Sequence, residues 1–302
     1  VIALGTLLGL LAALVPAIWA TRSSLASLLS STNVRGGGGH GRMRRGMVVV
    51  QVALSLVLLT AGGLVVRSFE HLLRAQPGFD PSGVLTFRVQ LSPAFYPDEA
   101  SATLMHDRLE QELLAIPGVE FVGAATALPL SANANQTGVR FPDSPANTGE
   151  EGHDVPLVDY IAMRDGYLET MRIRVLDGRS FEQWRRGGQR QVMIDRSLAE
   201  RFYPSRSAVG ATMMLDGDST LVVGVVEHAR LYDVHRDDRP QVYVPNEGDA
   251  GDATLSWVVR SDRPPESLVP DVRAAVRRAD SRVAIADMKP MQDIVDDSLR
   301  QQ

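Results

Sequence analysis

MVVVQVALSLVLLTAGGLVV, residues 47–66, decides the architecture of this chain, because its twenty residues carry no charged side chain. At about 1.5 Å of rise per helical residue, such a stretch spans the roughly 30 Å hydrocarbon core of a bilayer. The alternative, a buried core helix, is less consistent with it, since core helices are usually shorter and amphipathic. The sequence therefore predicts a transmembrane helix at residues 47–66.

A second apolar run, VIALGTLLGLLAALVPAIWA, occupies residues 1–20 and predicts a second transmembrane helix. No basic segment precedes it, which disfavours a signal peptide. Small residues recur at every fourth position, so they share one helix face and allow another helix to approach closely. The candidate helix-packing residues are Gly5, Gly9 and Ala13, continued by Ala17.

The loop between the two runs is basic. Its topology-determining candidates are Arg35, Arg42, Arg44 and Arg45. Short loops rich in arginine stay in the cytoplasm, so residues 21–46 are predicted inside and residues 67–302 outside, in the periplasm. The loop also contains RGGGGHGRMRRG, which is too rich in glycine and charge to bury a core. It predicts a flexible tether whose arginines contact anionic lipid headgroups.

Composition excludes several functions. Residues 1–76 hold seven arginines and one glutamate, whereas the remainder holds 24 basic and 35 acidic residues, a balance that disfavours nucleic acid as a partner. The chain has no cysteine, so disulfides and cysteine-based metal or redox chemistry are excluded. Its one lysine, Lys289, does not follow a glycine-rich loop, so a Walker A site is absent. We expect no enzyme activity, no cofactor and no metal.

One acidic and histidine-containing stretch is the best chemical candidate in the chain. Two histidines with neighbouring acids could ligate a metal, but their spacing of seven residues fits neither a helical pair nor a hairpin pair. A polar loop between two strands is the preferred interpretation. The residues concerned are Glu227, His228, Asp233, His235, Asp237 and Asp238.

The part after the second span predicts an α+β domain. Alternation at residues 84–91, a helical stripe from Met105 to Ile116 and a strand at 119–127 form a first strand–helix–strand unit. A second such unit follows at residues 255–288, and two split units of this kind suggest a ferredoxin-like fold. Between them lies a mainly β insertion, either a small barrel or an open sheet, which begins in a loop at residues 129–152.

Several stretches, in order, resemble MacB/FtsX-type ABC transporter permeases. They are GMVVVQVALSLVLLTAGGLVVRSFEHLLRAQPGFDPSGVLTFRVQLS, IPGVEFVGAATALPLS, GYLETMRIRVLDGRSF, VMIDRSLAERFYP, VGATM, LVVGVVEHAR and PQVYVP. Together they cover most of residues 45–300. The nearest subgroup is the duplicated orphan permeases abundant in acidobacteria, whose chains carry two copies of a helix, an outer domain and three helices. Glu227-His228 departs from the pattern, since relatives often have Gly-Asp there.

The resemblance implies a domain organisation. Residues 1–20 would end the preceding permease repeat, 21–46 would be the cytoplasmic linker, 47–66 the next span and 67–79 a helical stalk. Residues 80–302 would be a MacB-like periplasmic core domain, with a porter part at 80–128 and 253–302 and a sabre insertion at 129–252. The chain would then be a multi-pass protein of the bacterial inner membrane.

The resemblance also implies a function. The expected role is that of a permease subunit that couples ATP hydrolysis by a separate ABC ATPase to movement of the periplasmic domain, in efflux of small molecules, peptides or lipoproteins. The implied partners are the lipid bilayer, that ATPase, a periplasmic adaptor or lipoprotein, and a second copy or pseudo-copy in a dimer. Two alternatives stay open: a ligand-sensing domain of a membrane signalling protein, and a membrane-anchored hydrolase.

Overall fold

The structure, a computed structural model, describes residues 46, 48–63, 77–131, 134–144, 156–181, 189–232, 239–246 and 254–300. The chain divides into two units, residues 1–71 and 72–302. In the first unit, residues 48–63 are helical and their side chains are exposed. Within the described residues, no helix is both long enough and apolar enough to cross a bilayer. The two predicted spans therefore stay predictions.

A four-stranded region forms one part of the second unit. Its elements are β1 (Val84–Gln90), α1 (Glu99–Leu114), β2 (Val119–Ala125), β10 (Thr254–Ser261), α4 (Pro265–Ala279) and β11 (Ala284–Pro290). The strands follow the order β11-β1-β10-β2, and each neighbouring pair is antiparallel. With the two connecting helices this is the interleaved arrangement of two split strand–helix–strand units.

One face of this sheet is covered by α1 and α4 and holds an apolar core. Alternate residues of β1 and β10 point to it, among them Phe87 and Trp257, because successive strand side chains face opposite sides. The side chain of Asp98 begins α1 by accepting a hydrogen bond of 2.8 Å from the backbone N–H of Ser101. The helical stripe read from the sequence contributes Met105 and further residues to this core.

A closed six-stranded barrel forms the other part. Its strands are β3 (Asn135–Arg140), β4 (Leu157–Met163), β6 (Gln191–Asp195), β7 (Thr212–Leu215), β8 (Asp218–Val226) and β9 (Gln241–Pro245). Around the barrel they pair in the order β4-β3-β7-β8-β6-β9, and β9 pairs back with β4. Closure removes the unpaired edges that an open sheet would expose.

Short elements complete the second unit. The strand β5 (Val175–Gly178) pairs with β8, and the helix α3 (Arg196–Phe202) follows β6. The helices α2 (Tyr167–Met171) and α5 (Met291–Arg300) lie on the second face of the four-stranded sheet. There α2 approaches the sheet so closely that a Cβ on Gly123 would lie 2.4 Å from the Cα of Tyr167.

The mixed α and β content is confirmed, and of the two forms predicted for the insertion the structure has the barrel. A two-residue hairpin turn at Asp216–Gly217 joins β7 to β8, and both residues have the positive φ that such a turn requires. The loop predicted at residues 129–152 was wrong in part, because β3 lies within it. Its sequence, NQTGVR, has little apolar periodicity and is held as a strand by pairing with β4 and β7. The domain limits stay predictions.

Candidate functional site

The residues singled out from the sequence do not converge into a chemical site within the described part of the chain. Glu227 and His228 lie side by side but bind different partners, and the rest of their stretch, residues 233–238, lies outside the described residues. No group of three or more metal-ligating side chains is present among the residues that the structure describes. The packing and topology candidates also lie outside those residues: Gly5, Gly9, Ala13, Arg35, Arg42, Arg44 and Arg45.

The feature that does converge is the junction segment, residues 77–83, which leads from the N-terminal part of the chain into β1. Arg260 of β10 holds it, with only 2% of its surface exposed. Its guanidinium donates to the backbone carbonyls of Ser82 (2.6 Å), Asp80 (2.7 Å) and, on α2, Thr170 (2.6 Å). A buried arginine therefore joins the junction segment, the sheet and α2 through three charge-assisted hydrogen bonds.

Asp80 adds a second set of contacts to the junction segment. Its carboxylate accepts from Arg172 at 2.8 Å and from the backbone N–H of Ser82 at 2.9 Å, and its own N–H donates to the carbonyl of Met171. Burial alone would raise the pKa of Asp80, but the hydrogen bonds from Ser82 and the charge of Arg260 outweigh it and hold the pKa below its ordinary value. The carboxylate thus stays ionised beside the two arginines.

Residues 227–230, which leave the barrel strand β8, contact the first residues of the junction segment. The N–H of Arg230 donates to the carbonyl of Pro77 at 3.0 Å. Gly78 has φ of +82°, and a Cβ there would lie 1.9 Å from the carbonyl oxygen of His228. Only glycine fits such a contact, because a side chain would meet the backbone itself. The barrel is therefore joined to the junction segment by backbone contact.

The same four residues are tied to the base of α3. Nδ1 of His228 lies 2.6 Å from Oδ2 of Asp195, a fully buried carboxylate whose other oxygen accepts the N–H of Leu198 and so caps α3. Glu227 accepts from two arginines, Arg174 at 2.6 Å and Arg196 at 2.8 Å. Residues 227–230 consequently connect α3, β5 and the junction segment.

These contacts join three parts of the domain at one place. Arg260 ties the junction segment to the sheet and to α2, and residues 227–230 tie it to the barrel. Sequence reasoning did not single out Arg260. A signal was present, because Arg260 is the one charged residue of the strand TLSWVVRS, and such a charge is expensive to bury without partners.

The sequence of this chain matches that of a known protein family. The class is that of ABC-type transporter permeases with a domain outside the membrane, since residues 47–288 match the family described as MacB-like periplasmic core domain. That match covers most of the chain, which therefore belongs to the MacB-like periplasmic core domain family. No curated protein matches the chain.

The solved structures similar to this chain include two domains of ABC-type transporters. One is the extracellular domain of the noncanonic ABC-type transporter YknZ from Gram-positive bacteria, at 15% identity and a TM-score of 0.43, covering 67% of this chain and 100% of that one. The other is the periplasmic region of MacB from Actinobacillus actinomycetemcomitans, at 13% identity and a TM-score of 0.46, covering 77% and 99%.

Proposed function

We propose that this chain is part of a permease that transmits movement from the membrane to its periplasmic domain. The observation that carries the proposal is the junction segment, which both regions of the domain hold through Arg260 and residues 227–230. In the sequence, this segment overlaps the end of the predicted stalk, residues 67–79, which follows the predicted span. A displacement of the stalk would then reach the two regions through different contacts and shift them relative to each other.

The energy source in this proposal is a separate ABC ATPase on the cytoplasmic side. The chain has no Walker A sequence of its own, so nucleotide hydrolysis belongs to another subunit or domain. Membership of the MacB-like family supports this setting. The proposed role is non-enzymatic, in efflux from the inner membrane, with a second copy or pseudo-copy, a periplasmic adaptor or a lipoprotein as further partners.

The absence of cysteine offers a direct test of coupling, since introduced cysteines can be labelled selectively. Spin labels at Leu104, an exposed residue of α1, and at Ser219, exposed on the barrel, report the distance between the two regions. The labelled permease is purified from its host membrane with the ATPase that accompanies it. We expect the distance distribution to change when ATP is added.

Two results would count against this proposal. One is purification of the intact permease without any ATPase. The other is a distance distribution that stays the same in the presence of ATP, of its hydrolysis products and of a non-hydrolysable analogue.

The proposed topology has a separate test. A periplasmic reporter fused after Phe79 should be active, and replacement of Arg42, Arg44 and Arg45 by acidic residues should lower its activity, because basic residues hold short loops in the cytoplasm. A reporter that is silent in the unmodified chain would reverse the assignment of sides.

A further inference from the structure

A cleft of about 760 Å³ lies on the second face of the four-stranded sheet, within the second unit of the chain. Its floor is formed by β1, β10 and β11. One wall is α5, which contributes Ile294, and the other is the loop after β2 together with the first residue of the barrel strand β3. Because the four-stranded region supplies the floor and the barrel region part of a wall, an occupant would touch both.

The floor of the cleft is polar and regular. Thr254 and Ser256 of β10 are partly exposed, and within the described residues their hydroxyls have no hydrogen-bond partner. Residues two apart on a strand stand about 6.6–6.8 Å apart on one face, which is also the repeat of an extended peptide. Each hydroxyl both donates and accepts, so this floor matches the alternating N–H and C=O groups of a peptide backbone.

The walls carry both apolar and hydroxyl side chains. The loop after β2 contributes Ser131 beside the nearly buried Leu128 and Leu130, and α5 contributes Ile294 and Ser298. An extended peptide directs its side chains to alternate sides, so apolar side chains would meet one wall and hydroxyl side chains the other while the backbone faces the hydroxyls of the floor.

The charges in the cleft are already paired. Arg88 pairs with Asp287, and Nζ of Lys289 lies 3.3 Å from an oxygen of Asp297. The four side chains sum to zero charge. A charged ligand would therefore find no unpaired group of opposite charge among these four side chains. The cleft therefore favours a neutral occupant.

We propose that this cleft binds a short, extended, uncharged peptide segment with apolar and hydroxyl side chains. The inference goes beyond the transmission of movement and does not need an ATPase to be tested. Because such a peptide contacts both regions, its affinity depends on how far they are separated, which would connect binding to the domain movement proposed above.

The test uses the full chain in lipid nanodiscs without nucleotide. The probe is a fluorescent, end-capped peptide, Leu-Ser-Leu-Ser-Leu, and its control carries glutamate in place of both serines. We expect the neutral peptide to bind about tenfold more tightly than the acidic one, since the acidic peptide brings charges that lack partners. Binding is measured by fluorescence anisotropy.

Variants locate the site. Ser256→Phe places a ring on the floor and Ser298→Phe narrows the cleft from α5, so each should weaken binding about tenfold by steric exclusion. Ser219→Phe makes the same change on an exposed part of β8 and should leave binding unchanged. Ser298→Phe serves if Ser256→Phe does not fold, because Ser298 lies on a helix surface.

A third variant tests the role of charge. Asp287→Asn frees Arg88 of its partner, and asparagine tolerates the positive φ of 52° at this position. The acidic peptide should then gain several-fold in affinity while the neutral one changes little. Equal binding of both peptides to the unmodified chain would overturn the proposal. So would unchanged binding by a folded Ser256→Phe or Ser298→Phe variant.

Discussion

The two faces of the four-stranded sheet differ in whether a buried polar side chain has hydrogen-bond partners. Under α1 and α4, His106 is 1% exposed and neither ring nitrogen has a hydrogen-bond partner among the described residues. On the other face, Arg260 is 2% exposed and its guanidinium donates to three carbonyls. The first face is a core that tolerates one unpaired imidazole. The second is a connection that depends on its polar contacts.

Removal of the arginine should have the largest effect. Arg260→Met leaves three backbone carbonyls without their donor, and we expect the free energy of unfolding to fall by about 3 kcal/mol or more. Urea unfolding of the full chain in detergent, followed by tryptophan fluorescence, measures it. The matched control is Arg88→Met, which removes an exposed ion pair on the neighbouring strand and should cost about 1 kcal/mol or less. Similar losses in both variants would mean that the buried hydrogen bonds of Arg260 stabilise the domain no more than an exposed ion pair does.

The contact between the junction segment and the barrel is tested by two glycines. Gly78→Ala should cost about 3 kcal/mol, because its Cβ would overlap the carbonyl of His228 as well as strain a φ of +82°. Gly217→Ala has a similar φ of +87° but open space around the Cβ, so it should cost only about 1 kcal/mol. Unfolding by urea gives both values. If the two substitutions cost the same, the backbone contact at Gly78 contributes nothing.

Because His106 on the first face is buried without a hydrogen-bond partner among the described residues, we expect the free energy of unfolding to depend on pH. Burial, helped by the charge of Arg164, lowers the pKa of His106 to about 3. In the unfolded chain the pKa is ordinary, about 6.5, so the unfolded state takes up a proton first as the pH falls. The contribution of the neutral His106 to the free energy of unfolding is therefore fully present above pH 6.5 and is lost as the pH falls toward 3. Between pH 8 and pH 5 the loss is about 2 kcal/mol.

His106→Leu should abolish that loss, since leucine carries no titratable group. We expect the variant to be about as stable as the unmodified chain at pH 8, because it replaces an unpaired polar ring by an apolar side chain. Comparison of urea unfolding at pH 8 and pH 5 isolates the contribution of His106 from other titrations. Parallel pH profiles of the two proteins would mean that His106 is not held neutral.

Much of the fold was predictable because it follows from local patterns. Alternation at residues 84–91 located β1, and the helical stripe from Met105 to Ile116 located α1. The strand that was missed is held by residues far away in the sequence. The strand β3 has little apolar periodicity, and its residues are extended because β4 and β7 pair with it.

The junction was missed for a related reason. The partners of Arg260 are carbonyls, which every residue carries, so side-chain chemistry in the sequence gives no sign of them. The histidine and acidic residues around His228 were the candidate metal ligands of the sequence. Those of them that the structure describes instead bind Asp195, Arg174 and Arg196, which lie far away in the sequence.

The smallest expected effect concerns the link between His228 and the buried Asp195. A double-mutant cycle of His228→Ala and Asp195→Asn should give a coupling of about 1–2 kcal/mol, since a hydrogen bond to a buried carboxylate is lost once in each single variant. Asparagine is chosen because it still caps α3. The exposed pair of Arg190 and Asp218 is the control, with an expected coupling below about 0.5 kcal/mol because solvent screens it. If both cycles give the same coupling, then residues 227–230 hold the barrel by backbone contact alone and His228 adds nothing.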